Sequence, residues 1–399
     1  MTATRLLVAQ SGGATAVINS SLVGVVEAAR AAGLDVLGAR RGIEGILAGD
    51  LVDLGRQPQT VLDHLRRTPS AALGTTRQRL DDDSAARAAA LLARQGIRLL
   101  AYIGGNDSAD TALRLAAAAR AAGQELAVVG VPKTIDNDLP GTDHCPGYGS
   151  IARFMALAAR DAGRDTEASA GLHPIKLIEV MGRDAGWITA AAALGQESPA
   201  EAPQLIFFPE RPARDLDGFV AEIAAAYRTY GQVVAVVPET IKDASGKPLA
   251  GSVSWRDSFG HPYTPSPGPA LAQAIQERLG ARARFDKPGT IARMFMAAVS
   301  EPDLAEAYAV GAGAVRLLLR GVSEVMVTLE RVSDEPYQVR TGSVPLPEVA
   351  NRERLLPDEF IAPGGRAVTD AFRRYALPLI GGPLPPYARL LDLAPGESR

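Results

Sequence analysis

Short, mostly apolar runs alternate with longer alanine-rich stretches of helical period, and this alternation restricts the fold more than any other feature of the chain. The apolar runs fall at 6–9, 36–39, 99–103, 127–131, 175–180, 205–208 and 233–237. The helical stretches lie at 17–32, 83–95, 107–122, 151–162, 185–194 and 216–229. A strand that is apolar at every position is covered on both faces. A helix between consecutive strands supplies the crossover that parallel pairing needs. The expectation is therefore an α/β protein with mainly parallel sheets. A chain of 399 residues has room for two such units.

Open parallel sheets bind ligands beyond the carboxyl ends of their strands. Polar or glycine-rich clusters fall at five of those positions. Ser11-Gly12-Gly13 follows the first run, Gly104-Gly105-Asn106-Asp107-Ser108 the third, and Pro132 to Asp138 the fourth. Met181-Gly182-Arg183 follows the run at 175–180, and Pro238-Glu239 that at 233–237. Such regularity exceeds what core formation needs and points to an active site.

Each cluster has a chemical reading and a plainer one. Ser11-Gly12-Gly13 can let backbone N–H groups close on an anion at a helix start, or it can be a simple tight turn. It matches neither GxGxxG nor GxxxxGK[ST], so a dinucleotide fingerprint or a P-loop is not supported. Asp107 and Ser108 can serve a ligand or cap a helix. Lys133, Asp136 and Asp138 form the richest cluster: one carboxylate can take a proton from a hydroxyl, the other can hold a cation, and the ammonium suits a phosphate in transfer. The plainer alternative is a solvated turn. Arg77 and Arg183 can grip phosphate bidentately or sit on the surface. Glu239 can accept hydrogen bonds from sugar hydroxyls or be a loop carboxylate. Arg282, Arg284, Lys287 and Arg293 suit a phosphate monoester or form a basic loop. His64, His144, His173 and His261 lack metal-ligand spacing, and the lone Cys145 is read as a packing residue.

Composition excludes several classes. Apolar residues make up 47% and charged residues 22%, which indicates a packed core. A net charge of -3 offers no global attraction to nucleic acid or to an anionic membrane. One cysteine permits no intrachain disulfide. No run reaches the ~20 apolar residues of a membrane span, and no signal-peptide pattern is visible. A cytoplasmic protein is expected, with neither nucleic acid nor membrane as partner.

Taken in order, Ser11–Gly13, Leu73–Arg77, Gly104–Ser108, Pro132–Leu139, Glu179–Gly186, Pro238-Glu239 and Arg284–Arg293 resemble the phosphofructokinase family across nearly the whole chain. The resemblance implies two interleaved three-layer domains: 1–147 with about 292–340 for the phosphoryl donor, and 148–291 with about 341–399 for the sugar phosphate. It implies that Asp136 deprotonates the C1 hydroxyl of fructose 6-phosphate, with Thr134 and Asp138 beside it. Met181, Gly182, Arg183 and Glu239 would bind the sugar, and Arg284 and Arg293 its 6-phosphate. Gly13, Gly105, Asn106, Asp107 and Ser108 would form the donor side, with Arg77 and Lys133 as catalytic cations. Mg²⁺ is the implied cofactor. In this family one 6-phosphate arginine can come from a neighbouring subunit, so the resemblance implies a homodimer or homotetramer.

Donor choice rests on two positions. ATP-using relatives typically carry glycine where this chain has Asp107 and Lys133. A carboxylate at Asp107 would crowd and repel the α-phosphate of ATP by about 4 kcal/mol for unit charges ~4 Å apart at an interior dielectric. The pair resembles the pyrophosphate-dependent branch, which implies reversible transfer from pyrophosphate to C1. An ATP-dependent enzyme and a regulatory sugar-phosphate-binding subunit are the alternatives. The chain departs from the commoner pattern at Asn106, where an aspartate usually assists the metal and which with Asp138 is the implied ligand pair, at Thr290 and at Pro174.

Overall fold

The structure, a computed structural model, describes residues 4–250, 255–256, 262–263 and 265–390. Its strands are β1 (Arg5–Gln10), β2 (Asp35–Ala39), β3 (Leu51–Asp53), β4 (Ile97–Gly104), β5 (Ala127–Pro132), β6 (Ile175–Val180), β7 (Leu205–Ile206), β8 (Val233–Pro238), β9 (Trp255–Arg256), β10 (Pro262–Tyr263), β11 (Ala283–Asp286), β12 (Val325–Asp334) and β13 (Tyr337–Pro345). A seven-stranded sheet has the order β13-β12-β5-β4-β1-β2-β3, and a four-stranded sheet the order β11-β6-β8-β7. β9 and β10 form a small antiparallel ladder. The second sheet is wholly parallel. The first is parallel from β2 to β12, with β3 and β13 joining antiparallel at its two edges.

Both sheets are covered on both faces, as their largely apolar strands require. In the first, Leu6, Val8, Ile103 and Val129 pack on the helices Ile18–Ala31 and Glu301–Leu319. Leu7, Ala9, Leu100 and Val128 pack the other way, on Asp82–Arg94 and Asn106–Ala121. In the second, Ile178, Val180, Val234 and Val236 meet Tyr148–Ala168, while Ile175, Leu177, Val233 and Ala235 meet Leu216–Tyr230 and Pro267–Leu279. Each fully buried aliphatic side chain contributes about 1.5–3 kcal/mol relative to exposure. Helices Ile18–Ala31 and Glu301–Leu319 approach so closely that a Cβ on Gly24 would lie 2.2 Å from the Tyr308 carbonyl oxygen, and one on Gly311 2.1 Å from that of Ser21. Any side chain at either position would force the pair apart.

Chain order places the switch point. From β1 the chain crosses to β2 on one side, and from β4 to β5 on the other, so a crevice opens between the carboxyl ends of β1 and β4. Pairing of Gln10 with Ile103 and of Gly104 with Pro132 brings three of the polar clusters side by side. Pairing of Val180 with Pro238 does the same for Met181 and Glu239.

Residues 185–194 form a shorter helix, Trp187–Ala191, continued by a 3₁₀ turn, and the strand near 205 is only Leu205–Ile206. The stretch from 333, read from sequence as a surface wrap, contains the edge strand β13, so the first sheet runs to Pro345, past the expected boundary near 340. Helix Glu301–Leu319 has no forerunner in the sequence reading: its apolar residues run nearly all round, because both sheet and helix cover it. Part of the loop read at 243–269, and the tail beyond 390, lie outside the described residues.

Candidate active site

A cleft of about 620 Å³ opens at these strand ends. Gly13, Arg77, Gly105, Asn106, Asp107 and Ser108 line one wall, Lys133, Thr134, Asp136 and Asp138 the floor, and Met181, Arg183, Glu239 and Arg293 the other wall. Gly182 is buried behind Met181 and Arg183, at φ +128, and turns the chain so that these neighbours face the cleft. Arg284 is the exception among the expected residues. It lies on edge strand β11 opposite Lys176, exposed and outside the cleft lining.

The donor side is built from backbone. The Gly12 N–H donates to the Thr76 carbonyl at 3.1 Å, and the Lys133 N–H to the Gly104 carbonyl at 3.0 Å, which locks the turns together in two pairs. A Cβ on Gly13 would stand 2.5 Å from Nη1 of Arg293, so glycine is what lets this arginine reach across. Asn106 and Asp107 open the helix Asn106–Ala121. Asn106 Oδ1 accepts from the Asp107 N–H at 2.8 Å, and its Nδ2 donates to the Arg352 carbonyl at 3.3 Å. Its amide is thus occupied by the helix start and by a neighbouring segment. The Asp107 carboxylate points into the cleft, 60% exposed, with the Arg79 guanidinium 4.0 Å away.

Lys133 is the buried cation of the floor. Only 3% exposed, it donates from Nζ to the Gly13 carbonyl at 2.6 Å. Burial, then the nearby Arg293, lower its pKa to about 8. Asp136, half-buried, is pushed up to about 7 by burial and by the Asp138 carboxylate beside it, against the pull of Arg183. Burial also raises Asp138, whose Oδ1 has no hydrogen-bond partner among the described residues. Glu239 is raised by burial, although the Arg183 backbone N–H and Lys287 favour its charged form. A proton acceptor held near neutrality beside a buried ammonium, with an orphaned carboxylate oxygen next to it, is a site arranged for phosphoryl chemistry.

Local conformation turns the two aspartates the same way. Asn137 between them has φ 55, a left-handed geometry that asparagine tolerates better than most residues. Its side chain is fully buried: Oδ1 accepts from the Cys145 N–H and Nδ2 donates to Tyr375 Oη, both at 2.9 Å. The Thr134 hydroxyl accepts from the Asp136 N–H at 3.1 Å.

Two features escape the sequence reading. His144 is 1% exposed, with Nδ1 2.7 Å from Asp143 and Nε2 2.8 Å from Glu306, which also accepts from Tyr337 Oη at 2.6 Å. Burial alone would depress this imidazole, but the two carboxylates raise it to about 9. Arg354 hydrogen-bonds the turn that carries Asp136 and Asp138. His144 sits close after the aspartates in sequence, a proximity that by itself assigns it no role; Arg354, more than 200 residues away, left no local signal. Cys145 is fully buried and its thiol is raised to about 12 by burial, so it packs rather than reacts.

A parallel α/β pair with a cationic, carboxylate-floored cleft at its strand ends defines a phosphoryl-transferring protein, and the chain belongs to the phosphofructokinase family, whose description as Phosphofructokinase matches residues 5–318. It is 41% identical to a pyrophosphate--fructose 6-phosphate 1-phosphotransferase of Xanthomonas campestris over 391 residues, covering 96% of this chain and 93% of that one. It is 40% identical to the protein of the same name from Methylococcus capsulatus, at 97% and 94% coverage. Its fold is similar to a pyrophosphate-dependent phosphofructokinase structure from Nitrosospira multiformis, with a TM-score of 0.86, 35% identity and coverage of 98% and 95%.

Proposed function

We propose that this chain is a pyrophosphate-dependent phosphofructokinase that reversibly transfers a phosphoryl group from pyrophosphate to the C1 hydroxyl of fructose 6-phosphate. The observation that carries this reading is the pairing of Asp107 and Lys133 across the donor side of the cleft. The ammonium neutralises a compact diphosphate, and the carboxylate stands where a nucleotide would continue.

The chain's own residues divide the work. Lys133 and Arg77 hold pyrophosphate and draw off charge as its bridging P–O bond breaks and inorganic phosphate leaves. Asp136 accepts the C1 hydroxyl proton as that oxygen bonds to phosphorus. Met181, Arg183 and Glu239 orient the sugar, and Arg293 serves its 6-phosphate. Arg284 is exposed on β11 and outside the cleft; we assign it to a second copy of the chain in a homo-oligomer. The donor then belongs to the unit built on the first sheet and the sugar phosphate to that built on the second. Mg²⁺ fits the orphaned Asp138 Oδ1 and would supply charge neutralisation of pyrophosphate; Asn106, with its amide engaged, is the poorer ligand. Among the described residues no helix is long and apolar enough to cross a membrane; a cytoplasmic setting is part of the proposal.

The test is an initial-rate assay with pyrophosphate and ATP in turn, with and without Mg²⁺, on the wild type and Asp136→Asn. Pyrophosphate should be the donor, and Asp136→Asn should cost 10²–10⁴-fold in kcat, the usual worth of a general base, with little change in KM. Efficient turnover with ATP alone would reject the donor assignment. An active Asp136→Asn enzyme would reject the base.

A further inference from the structure

Two aspartates can share one cleft face only if the backbone between them is held against its tendency to relax. The left-handed residue Asn137 turns the chain there, and the carbonyls of this turn fall outside any sheet ladder. Buried carbonyls need donors. Here all but one of the donors, the Tyr375 hydroxyl on the Asp143 carbonyl, come from one residue far along the chain. Arg354 Nη1 donates to the carbonyls of Thr142 at 2.6 Å and Asp143 at 2.8 Å. Its Nη2 and Nε donate to that of Asn137 at 2.8 and 3.3 Å. Its backbone N–H donates to the Asp138 carbonyl at 2.7 Å. One residue thus satisfies four carbonyls of the segment 137–143.

The guanidinium is itself fixed. It lies over the Trp187 ring, 4.7 Å from the centroid, and the Trp187 indole N–H donates to the Arg354 carbonyl at 3.1 Å. Its neighbours tie the same strap to both walls of the cleft. Asn351 donates to Asp110 at 3.0 Å on the donor side, and Glu353 pairs with Arg183 at 3.7 Å on the sugar side.

We propose that Arg354 is a positioning residue for phosphoryl transfer, holding the turn 137–143 so that Asp136 and Asp138 face the substrates. The function needs a planar fork with several divergent N–H donors; a lysine ammonium has the charge without that geometry. Arg354 does not line the cleft, so its loss should spare substrate contacts and misplace the proton acceptor. A displacement of about 1 Å at a reacting group costs about 10²-fold.

The inference rests on Asp136 as the proton acceptor, so Arg354→Met and Arg354→Lys are compared with Asp136→Asn under one assay. Arg354→Met should lower kcat about 10²-fold while KM for pyrophosphate and for fructose 6-phosphate stays within about threefold. Arg354→Lys, which keeps a cation over Trp187, should fall between it and wild type and guards against failure to fold. Hydrogen exchange at the amides of 136–147 should quicken in both variants while other core segments stay protected. A folded Arg354→Met enzyme with wild-type kcat overturns the proposal. So does a loss in which KM rises as far as kcat falls, or in which protection is lost throughout the fold. An active Asp136→Asn enzyme instead refutes the base assignment, and the exchange pattern at 136–147 then still reports whether Arg354 holds the turn.

Discussion

Replacing Asp107 tests the donor assignment with little disturbance elsewhere. The residue sits in the first turn of the helix Asn106–Ala121, with its carboxylate 60% exposed in the cleft. Glycine there costs the helix about 0.5–1 kcal/mol. Two unit charges ~4 Å apart repel by about 4 kcal/mol at an effective dielectric of 20, but by only about 1 kcal/mol in water. The exposure of Asp107 and the Arg79 guanidinium 4.0 Å away place the real penalty toward the aqueous limit. About 1–2 kcal/mol, roughly fivefold to thirtyfold in binding, is the electrostatic share, well below the interior value expected from sequence alone. Inorganic tripolyphosphate isolates that share, because it carries a third phosphate and no nucleoside. The assay is kcat/KM for pyrophosphate, tripolyphosphate and ATP with wild type, Asp107→Asn and Asp107→Gly. Asp107→Asn keeps the side-chain volume and removes the charge, so it should raise tripolyphosphate use by about the electrostatic factor. Asp107→Gly also frees space and should extend the gain to ATP. Pyrophosphate turnover should change by no more than a few-fold. A wild-type enzyme that uses tripolyphosphate as well as pyrophosphate, or a glycine variant that gains with neither longer donor, refutes the exclusion argument.

Other outcomes follow from the same geometry. Asp136, raised to about 7, accepts a proton only when ionised, and Lys133, lowered to about 8, is cationic only below that; kcat/KM should peak between pH 7 and 8, and a flat profile from pH 5.5 to 9.5 would count against both roles. Asp138→Asn should move the acid limb to lower pH, because a like charge beside Asp136 is gone. His144, raised from 6.5 to about 9 in the fold, contributes stability that is complete below about pH 6.5 and fades as pH rises through 9, on the order of 3 kcal/mol. His144→Gln should therefore flatten the fall in Tm between pH 6 and 9.5, and an unchanged slope would show that another group titrates there. Gly13→Ala should displace Arg293 and raise KM for fructose 6-phosphate several-fold while Tm holds; an unchanged KM would free Arg293 of that role.

The sequence alone determined the α/β class, because strands apolar at nearly every position have to be buried on both faces and only helical crossovers do that. It also marked the polar and glycine clusters at strand ends that the fold brings to one cleft. Lys133, Asp136 and Asp138 were legible within one short turn. What depended on distance along the chain was decided by the tertiary structure. Arg354 and Asn137 are 217 positions apart and meet by hydrogen bonds that no local pattern announces. Glu306 reaches His144 from a helix whose apolar surround hides its period. The exposed place of Arg284 and the engaged amide of Asn106 likewise follow from where neighbouring elements pack. Local spacing fixes which groups a turn presents; only the packed fold fixes their partners, their burial and hence their proton affinity.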